Sequence, residues 1–345
     1  MRRPRTDFHR IRRGRRGGRG TLRPVPLERE LGGYEIVGRL AVGGMAEVYQ
    51  ARPLPSTAAA AGEGPEVVLK RLLPAYRNDG AHVKHFIDEA KIAVRLQHRH
   101  LVRTFRCFKS GADYLMVQEL VPGRTLGYFL DLLVQAGTPM PLPAANYIGW
   151  CLLDALSYLH GGLGATPPVP LLHRDMNPAN VLLSVTGEVK LTDFGLAEFD
   201  GFPRGETGAL RGTVAYMSPE QVVGDAVDAR SDLYSVGIIL WELVANQRLF
   251  PHASELDLLA RVRDAQIPLL EPLRPGVPEY LARVVRQATF ADRGKRFQTA
   301  PEFARALQLV AQRNGWPLTV EALNPVSALK FDCWTLNSCT ASTEG

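Results

Sequence analysis

The sequence predicts an α+β chain, strand-rich first and helical after, long enough for two or so domains or lobes, and three observations lead there. Up to about Val121 the apolar residues fall in short β-type runs parted by Gly- or Pro-containing turns, with a single helical period among them. From Leu126 onward helical periods dominate. Between these regimes stands Pro122-Gly123, a turn dipeptide. A chain of 345 residues that is 46% hydrophobic and 22% charged is ordinary for a globular protein and long enough for two lobes.

The elements follow in order. Residues 1–30 hold many Arg and Gly and few apolar residues, so they cannot bury enough surface to fold and are expected to be a disordered tail. Tyr34 to Tyr49 reads as strand, glycine turn and strand. Pro53 to Pro65 is an Ala/Pro/Gly surface loop, and Val67-Val68-Leu69-Lys70 is a strand ending in a cation. His82 to Gln97 has one apolar face from Val83, Phe86, Ile87, Ala90, Val94 and Leu96, which predicts a helix. Leu101 to Phe108 and Tyr114 to Val121 are expected to form an antiparallel hairpin about Ser110-Gly111. Ala144 to His160 is a long amphipathic helix, and Gly161 to Pro170 a Gly/Pro loop. Val181-Leu182-Leu183 and Val189-Lys190-Leu191 are short strands joined by a turn at Thr186-Gly187. Ser231 opens a nearly all-apolar helix that belongs in a core, and Pro301 to Gln312 is a closing amphipathic helix. Residues after Asn314 carry no pattern that assigns them.

Composition excludes several classes. The most apolar run, Leu233 to Ala245, is too short for a membrane span and contains Glu242. The Arg-rich start lacks the apolar segment of a secretory signal. Cys107, Cys151, Cys333 and Cys339 have neither metal-site spacing nor the density of a disulfide framework, which fits a reduced, cytoplasmic compartment. The net charge of +6 is local: residues 1–24 hold ten Arg and one Asp, leaving 31 basic and 34 acidic residues in the rest. A nucleic acid or anionic surface is therefore a candidate partner only through residues 1–24. The alternatives for that segment are a plain solvated tail or an over-extended reading frame.

The chemistry concentrates in His173-Arg174-Asp175-Met176-Asn177-Pro178-Ala179-Asn180, followed after a hairpin by Asp193-Phe194-Gly195. Two carboxylates and an amide brought together this way suit magnesium, which binds through few carboxylates plus phosphate oxygens, and suit orienting a hydroxyl. The spacing H-R-D-x-x-x-x-N, then D-F-G, resembles the signature pair of protein kinases. Other elements of that family follow in order from about Tyr34 to about Val310, and the chain most resembles the bacterial eukaryotic-like (Hanks-type) serine/threonine kinases.

That resemblance implies a two-lobed kinase fold, with a small lobe over about 34–121, a large lobe over about 122–310, a domain spanning 31–310, and a tail of unknown role over 311–345. It implies ATP and Mg2+, with Mn2+ as an alternative, and protein substrates phosphorylated on Ser or Thr. Asp175 becomes the residue that orients the substrate hydroxyl, and Asn180 and Asp193 the metal ligands. Lys70 becomes the phosphate ligand, paired with Glu89 rather than Asp88 because Phe86-Ile87-Asp88-Glu89-Ala90 resembles the family's helix C. Leu40, Ala41, Gly43, Gly44 and Val48 form the nucleotide-covering loop, Gln118 the gatekeeper, and Glu119 and Leu120 the hinge. Asp232 anchors the catalytic loop from below, and Glu220 pairs with Arg296. Thr213 lies in the P+1 loop and favours Ser/Thr substrates. Arg174 marks control by activation-loop phosphate, with Thr207, flanked by Arg204 and Arg211, as the autophosphorylation site.

Four positions depart from the pattern, one of them Ser218, which stands in place of the Ala of the family's A-P-E box. Ala41 and Ala46 replace glycines of the nucleotide loop, which stiffens it. Asn177 stands where serine/threonine kinases usually carry a lysine directed at the γ-phosphate, and Ala179 does not supply the Arg of tyrosine kinases. The loop thus lacks a cation, and on this reading Asn177→Lys is expected to raise turnover. The competing functional readings are a nucleotide-binding pseudokinase scaffold and an RNA-associated protein led by the Arg/Gly arm.

Overall fold

A computed structural model describes residues 29–57, 62–162, 170–193, 214–250 and 254–327. Most of the N-terminal tail, the segment with Phe194, Gly195, Arg204, Thr207, Arg211 and Thr213, and Cys333 and Cys339 lie outside the described residues.

The small lobe is a six-stranded antiparallel sheet in the order β1-β2-β3-β4-β6-β5. Its strands are β1 (Glu30–Leu31), β2 (Tyr34–Val42), β3 (Ala46–Pro53), β4 (Val67–Leu72), β5 (Thr104–Ser110) and β6 (Asp113–Glu119). Alternation buries Val67 and Leu69 of β4 with Leu115 and Val117 of β6 in one cluster, while Leu72 and Met116 join Phe86 and Ala90 in another. Phe86 and Ala90 belong to α1 (Gly80–Ala93), which packs on β5 and β6. This helix begins two residues before the predicted start, because the Asp79 side chain accepts from Ala81 N and His82 N. It also ends earlier than predicted: Leu96 is buried but lies beyond the helix.

The hairpin predicted around Ser110-Gly111 is present, shifted toward the C-terminus on its first strand. Leu101 and Val102 are not part of β5. They pair with Leu191 instead, through Val102 N to Leu191 O at 2.8 Å and Leu191 N to His100 O at 2.9 Å. Two apolar residues thus leave the small-lobe sheet and stitch the lobes together.

The large lobe holds α2 (Leu126–Gln135), α3 (Leu142–His160), α4 (Pro219–Val223), α5 (Ala229–Ala245), α6 (Glu255–Arg263), α7 (Glu279–Ala288), α8 (Ala300–Asn314) and α9 (Asn324–Ser327). A three-stranded sheet of β7 (Gly123–Thr125), β8 (Val181–Ser184) and β9 (Val189–Leu191) lies at the junction of the lobes. Helix α5 is the core helix predicted from its all-apolar run: every residue from Ser231 to Val244 is buried. Gly149 of α3 and Gly237 of α5 permit close approach, since a Cβ would come within 2.6 Å of Leu240 and 2.8 Å of Ala288 respectively. No described helix is long and apolar enough to cross a membrane.

Candidate active site

The site forms where the two sheets meet. Lys70 leaves the middle of β4, and Glu89 leaves the face of α1 that packs toward the sheet. Glu89 is only 5% exposed. Lys70 Nζ bonds Glu89 Oε1 at 3.1 Å and Asp193 Oδ1 at 2.7 Å. The expectation that Glu89 rather than Asp88 faces the lysine agrees with this geometry, because Asp88 is occupied on the outside by Lys84 and Lys91. Burial disfavours the ammonium, but the Asp193 and Glu89 carboxylates together hold Lys70 above the usual lysine range. Burial pushes Glu89 up despite Lys70, whereas at Asp193 the adjacent ammonium outweighs burial and holds the carboxyl down.

Below lies the loop that carries Asp175. Its backbone is fixed by Asp232 at the start of α5: His173 N donates to Oδ2 at 2.9 Å and Arg174 N to Oδ1 at 2.8 Å. His160, at the end of α3, meets the same Oδ2 at 2.9 Å. The His173 ring lies 3.2 Å from the Thr192 carbonyl, one residue before Asp193. Arg174 and Asp193 both adopt left-handed backbone conformations, at φ 65° and 55°. Non-glycine residues hold such angles only where surroundings over-determine them, commonly at functional sites.

Two amides grip the Asp175 carboxylate. Asn177 Nδ2 donates to Oδ1 at 2.8 Å and Asn180 Nδ2 to Oδ2 at 2.9 Å, while both also donate to the Asp175 carbonyl. Burial pushes the Asp175 carboxyl up, against the pull of His173 and the two amides. Asn177 Oδ1 also caps the turn at Pro178–Asn180, accepting from Ala179 N at 2.9 Å and Asn180 N at 3.3 Å. The residue that sequence comparison marks as a missing cation is thus a structural clasp between Asp175 and Asn180.

Above the loop a cavity of about 360 Å³ opens, lined among others by Leu40, Ala41, Val48, Lys70, Gln118, Glu119, Leu120 and Asp193. Gln118 donates to Thr104 Oγ1 at 3.2 Å, and Glu119 Oε1 accepts from Lys190 Nζ at 2.7 Å. Gly43 and Gly44 turn β2 into β3 above this cavity without lining it. Among the described residues nothing demands glycine there: a Cβ at Gly44 meets none of them within 4 Å, and at Gly43 only the Ala46 carbonyl at 3.5 Å.

Two site supports escaped the sequence reading. Gln221 of α4 accepts from Ser218 N at 2.9 Å and donates to the Arg174 carbonyl at 3.0 Å, tying α4 to the loop that carries Asp175. The S-x-x-Q spacing was the available signal. The other is His160, which has no signal beyond its place at a helix end. The predicted Glu220–Arg296 pair is present and bidentate at 2.7 and 2.9 Å, with Ser231 Oγ on Glu220 Oε1 at 2.6 Å.

The protein kinase domain family matches residues 34–301. The chain belongs to the protein kinase family. This kinase-family chain is 33% identical to the serine/threonine-protein kinase PknL of Mycobacterium tuberculosis, over 85% of its own length and 69% of that protein's. It is also 33% identical to the tyrosine-protein kinase MasK of Myxococcus xanthus, over 82% of its length but 44% of the relative's. Among solved structures, the kinase domain of Mycobacterium tuberculosis PknI matches with a TM-score of 0.60 and 26% identity, covering 81% of this chain and 97% of that one. The relatives are bacterial eukaryotic-like kinases, as the sequence motifs suggested, and the two-lobed fold is the protein kinase fold.

Proposed function

We propose that this protein is a serine/threonine protein kinase that transfers the γ-phosphoryl group of ATP to protein hydroxyls. The observation that carries the reading is a chain of contacts at one cleft: Lys70 and Asp193 line it, Glu89 bonds Lys70 from behind, Asn180 grips Asp175, and Thr192, beside Asp193, bonds the Asn180 carbonyl. Phosphoryl transfer asks a protein mainly for positioning and charge stabilisation, and this arrangement supplies both. Asp175, oriented by two amides and raised by burial, faces the hydroxyl of the acceptor and orients its proton. Lys70, held by Glu89, aligns the nucleotide phosphates. The hinge backbone at Glu119 and Leu120 takes the base, with Gln118 behind it. Gly43 and Gly44, which packing among the described residues does not require, leave backbone close to phosphate.

The donor set fits magnesium. The described residues contain no cluster of three or more His, Cys, Asp or Glu that could hold a metal by itself. One carboxylate from Asp193 and one amide from Asn180 match an ion that takes its remaining ligands from phosphate and water. When bound, magnesium or manganese neutralises phosphate charge. Asn180 Oδ1 makes no hydrogen bond among the described residues, while its Nδ2 is spent on Asp175.

The Ser/Thr preference rests on Thr213 in the P+1 position and on relatives such as PknL; MasK carries a tyrosine-kinase name, so the acceptor class is part of the test. We assign autophosphorylation to Thr207 with Arg174 as its docking cation, and place the activity in cytoplasmic signalling. Incubation with radiolabelled ATP and magnesium, followed by phosphoamino-acid analysis, should yield phosphoserine or phosphothreonine. Phosphotyrosine alone would reassign the acceptor, and nucleotide binding without transfer would favour the pseudokinase scaffold.

A further inference from the structure

The chain beyond α8 lies outside the matched kinase domain and outside every motif of the sequence. It does not trail away. Gly315 caps α8 in a left-handed conformation, and a 3-10 turn at Val320–Leu323 followed by α9 folds back onto the large lobe. Ala322, Leu323 and Val326 join the main core, with Leu323 only 5% exposed. The turn packs on α3, and on its other side Val320 lies beside Gly187 while Val320, Leu323 and Val326 bound a small cavity of about 90 Å³ with Leu183 to Gly187 of the β8–β9 hairpin. Contact there is close: a Cβ on Gly187 would lie 3.1 Å from Val320 Cβ.

That hairpin is the part of the fold where the proposed catalytic groups and the hinge are joined. Its root holds both metal-site residues, since β8 begins directly after Asn180 and β9 ends two residues before Asp193. Thr192 N bonds the Asn180 carbonyl at 2.9 Å across the root. Its middle reaches the hinge through Lys190 Nζ to Glu119 Oε1 at 2.7 Å. Its tip is tied to the hinge exit by Val185 N to Pro122 O at 2.8 Å. A three-residue strand such as β9 has little pairing of its own, so its register depends on what holds the two ends. The root is held by the catalytic loop, and the tip by the hinge exit and by residues 320–326.

We propose that residues 320–326 are a positioning element of this kinase fold, which acts through the tip of the β8–β9 hairpin to hold Asn180, Asp193 and the hinge in register. Its catalytic consequence rests on the function proposed above. The structural coupling does not, and it is measured without turnover.

The test uses the full chain with Leu323→Asp, which places a charge in a buried apolar seat and expels the segment. Leu323→Ala is the milder companion for use if the first variant does not fold. Hydrogen exchange read by mass spectrometry follows three regions together: 316–327, the hairpin at 181–192, and α5 as an internal control. Release of the segment should bring about tenfold or greater acceleration of exchange in 181–192, with α5 unchanged, because local opening spreads through contiguous packed units. For the active enzyme, the KM for ATP should rise more than kcat falls, and Leu323→Met should restore both. A released segment with unchanged exchange at 181–192 would overturn the proposal. So would a segment whose own exchange is indifferent to a charge at residue 323. Coupled exchange in a protein that transfers no phosphate would instead refute only the kinase reading.

Discussion

Replacing Asn177 by Lys separates two accounts of the catalytic loop. Sequence comparison makes Asn177 a missing cation, so lysine should speed transfer. The geometry argues the reverse. Asn177 is 6% exposed and its side chain makes four hydrogen bonds, accepting from Ala179 N and Asn180 N and donating to the Asp175 carbonyl and Oδ1. Lysine has no acceptor, so the turn that carries Asn180 loses its cap, a loss worth about 0.5–2 kcal/mol. It also gives up the amide bond to the Asp175 carboxylate, a bond to a charged group worth about 1.5–3 kcal/mol. Against this stands a new charge near the phosphates, and charge-assisted bonds are roughly twice as strong as neutral ones. A cation on a displaced loop is poorly placed, and misplacement of about 1 Å costs on the order of a hundredfold in rate. The net expectation for Asn177→Lys is a kcat lowered by about tenfold to a hundredfold, with a smaller change in KM for ATP. Asn177→Ala should lose a similar amount. Asn177→Asp should be worse, because it keeps the cap but sets a second carboxylate against Asp175. Steady-state transfer to a peptide substrate measures the series. A lysine variant faster than the parent would show that charge, not loop geometry, limits the step.

Further outcomes follow from other contacts. Lys70→Met and Glu89→Ala should each lower kcat/KM by about a hundredfold, and the double variant should lose less than the sum, since each acts through the other across 3.1 Å; additive losses would argue against the pair. Glu220 is buried, yet Arg296 and Ser231 hold its pKa down to about 2 from 4.5. A folded value below the unfolded one means its contribution is complete above about pH 4.5 and lost as pH falls toward 2; a depression of that size corresponds to about 3 kcal/mol. Denaturant unfolding across that window should show this loss, and Arg296→Met should remove it while costing about 3–5 kcal/mol at neutral pH. Thr207→Ala should leave a basal rate and abolish activation on preincubation with ATP; mass spectrometry of active protein with no phosphate on residues 205–211 would contradict the assignment.

Much of this architecture was legible before any coordinates. Motif order marked Lys70, Glu89, Asp175, Asn180 and Asp193; the structure joins Lys70 to Glu89 and to Asp193, 123 residues away, and Asp175 to Asn180, whose carbonyl meets Thr192 beside Asp193. Element boundaries were read less well, for local reasons. Asp79 capped α1 earlier than the apolar period suggested, because the cap lies outside the period. Leu101 and Val102 had the composition of the strand they adjoin, but their partner is Leu191, and pairing partners are invisible to periodicity. The role of Asn177 was not legible, since an amide that caps a turn and grips a carboxylate is defined by loop geometry. Nor was the fold of 316–327, which carries no motif and takes its shape from the core and α3 that it packs on.

The central claim is that Asp175 works at the heart of a phosphoryl-transfer site. Parent protein and Asp175→Ala should be compared in one experiment that reads both radiolabelled phosphate transfer and nucleotide affinity. The account predicts that the variant binds ATP nearly as well as the parent, while transfer falls by about three orders of magnitude or more. Equal transfer by the two proteins would contradict it.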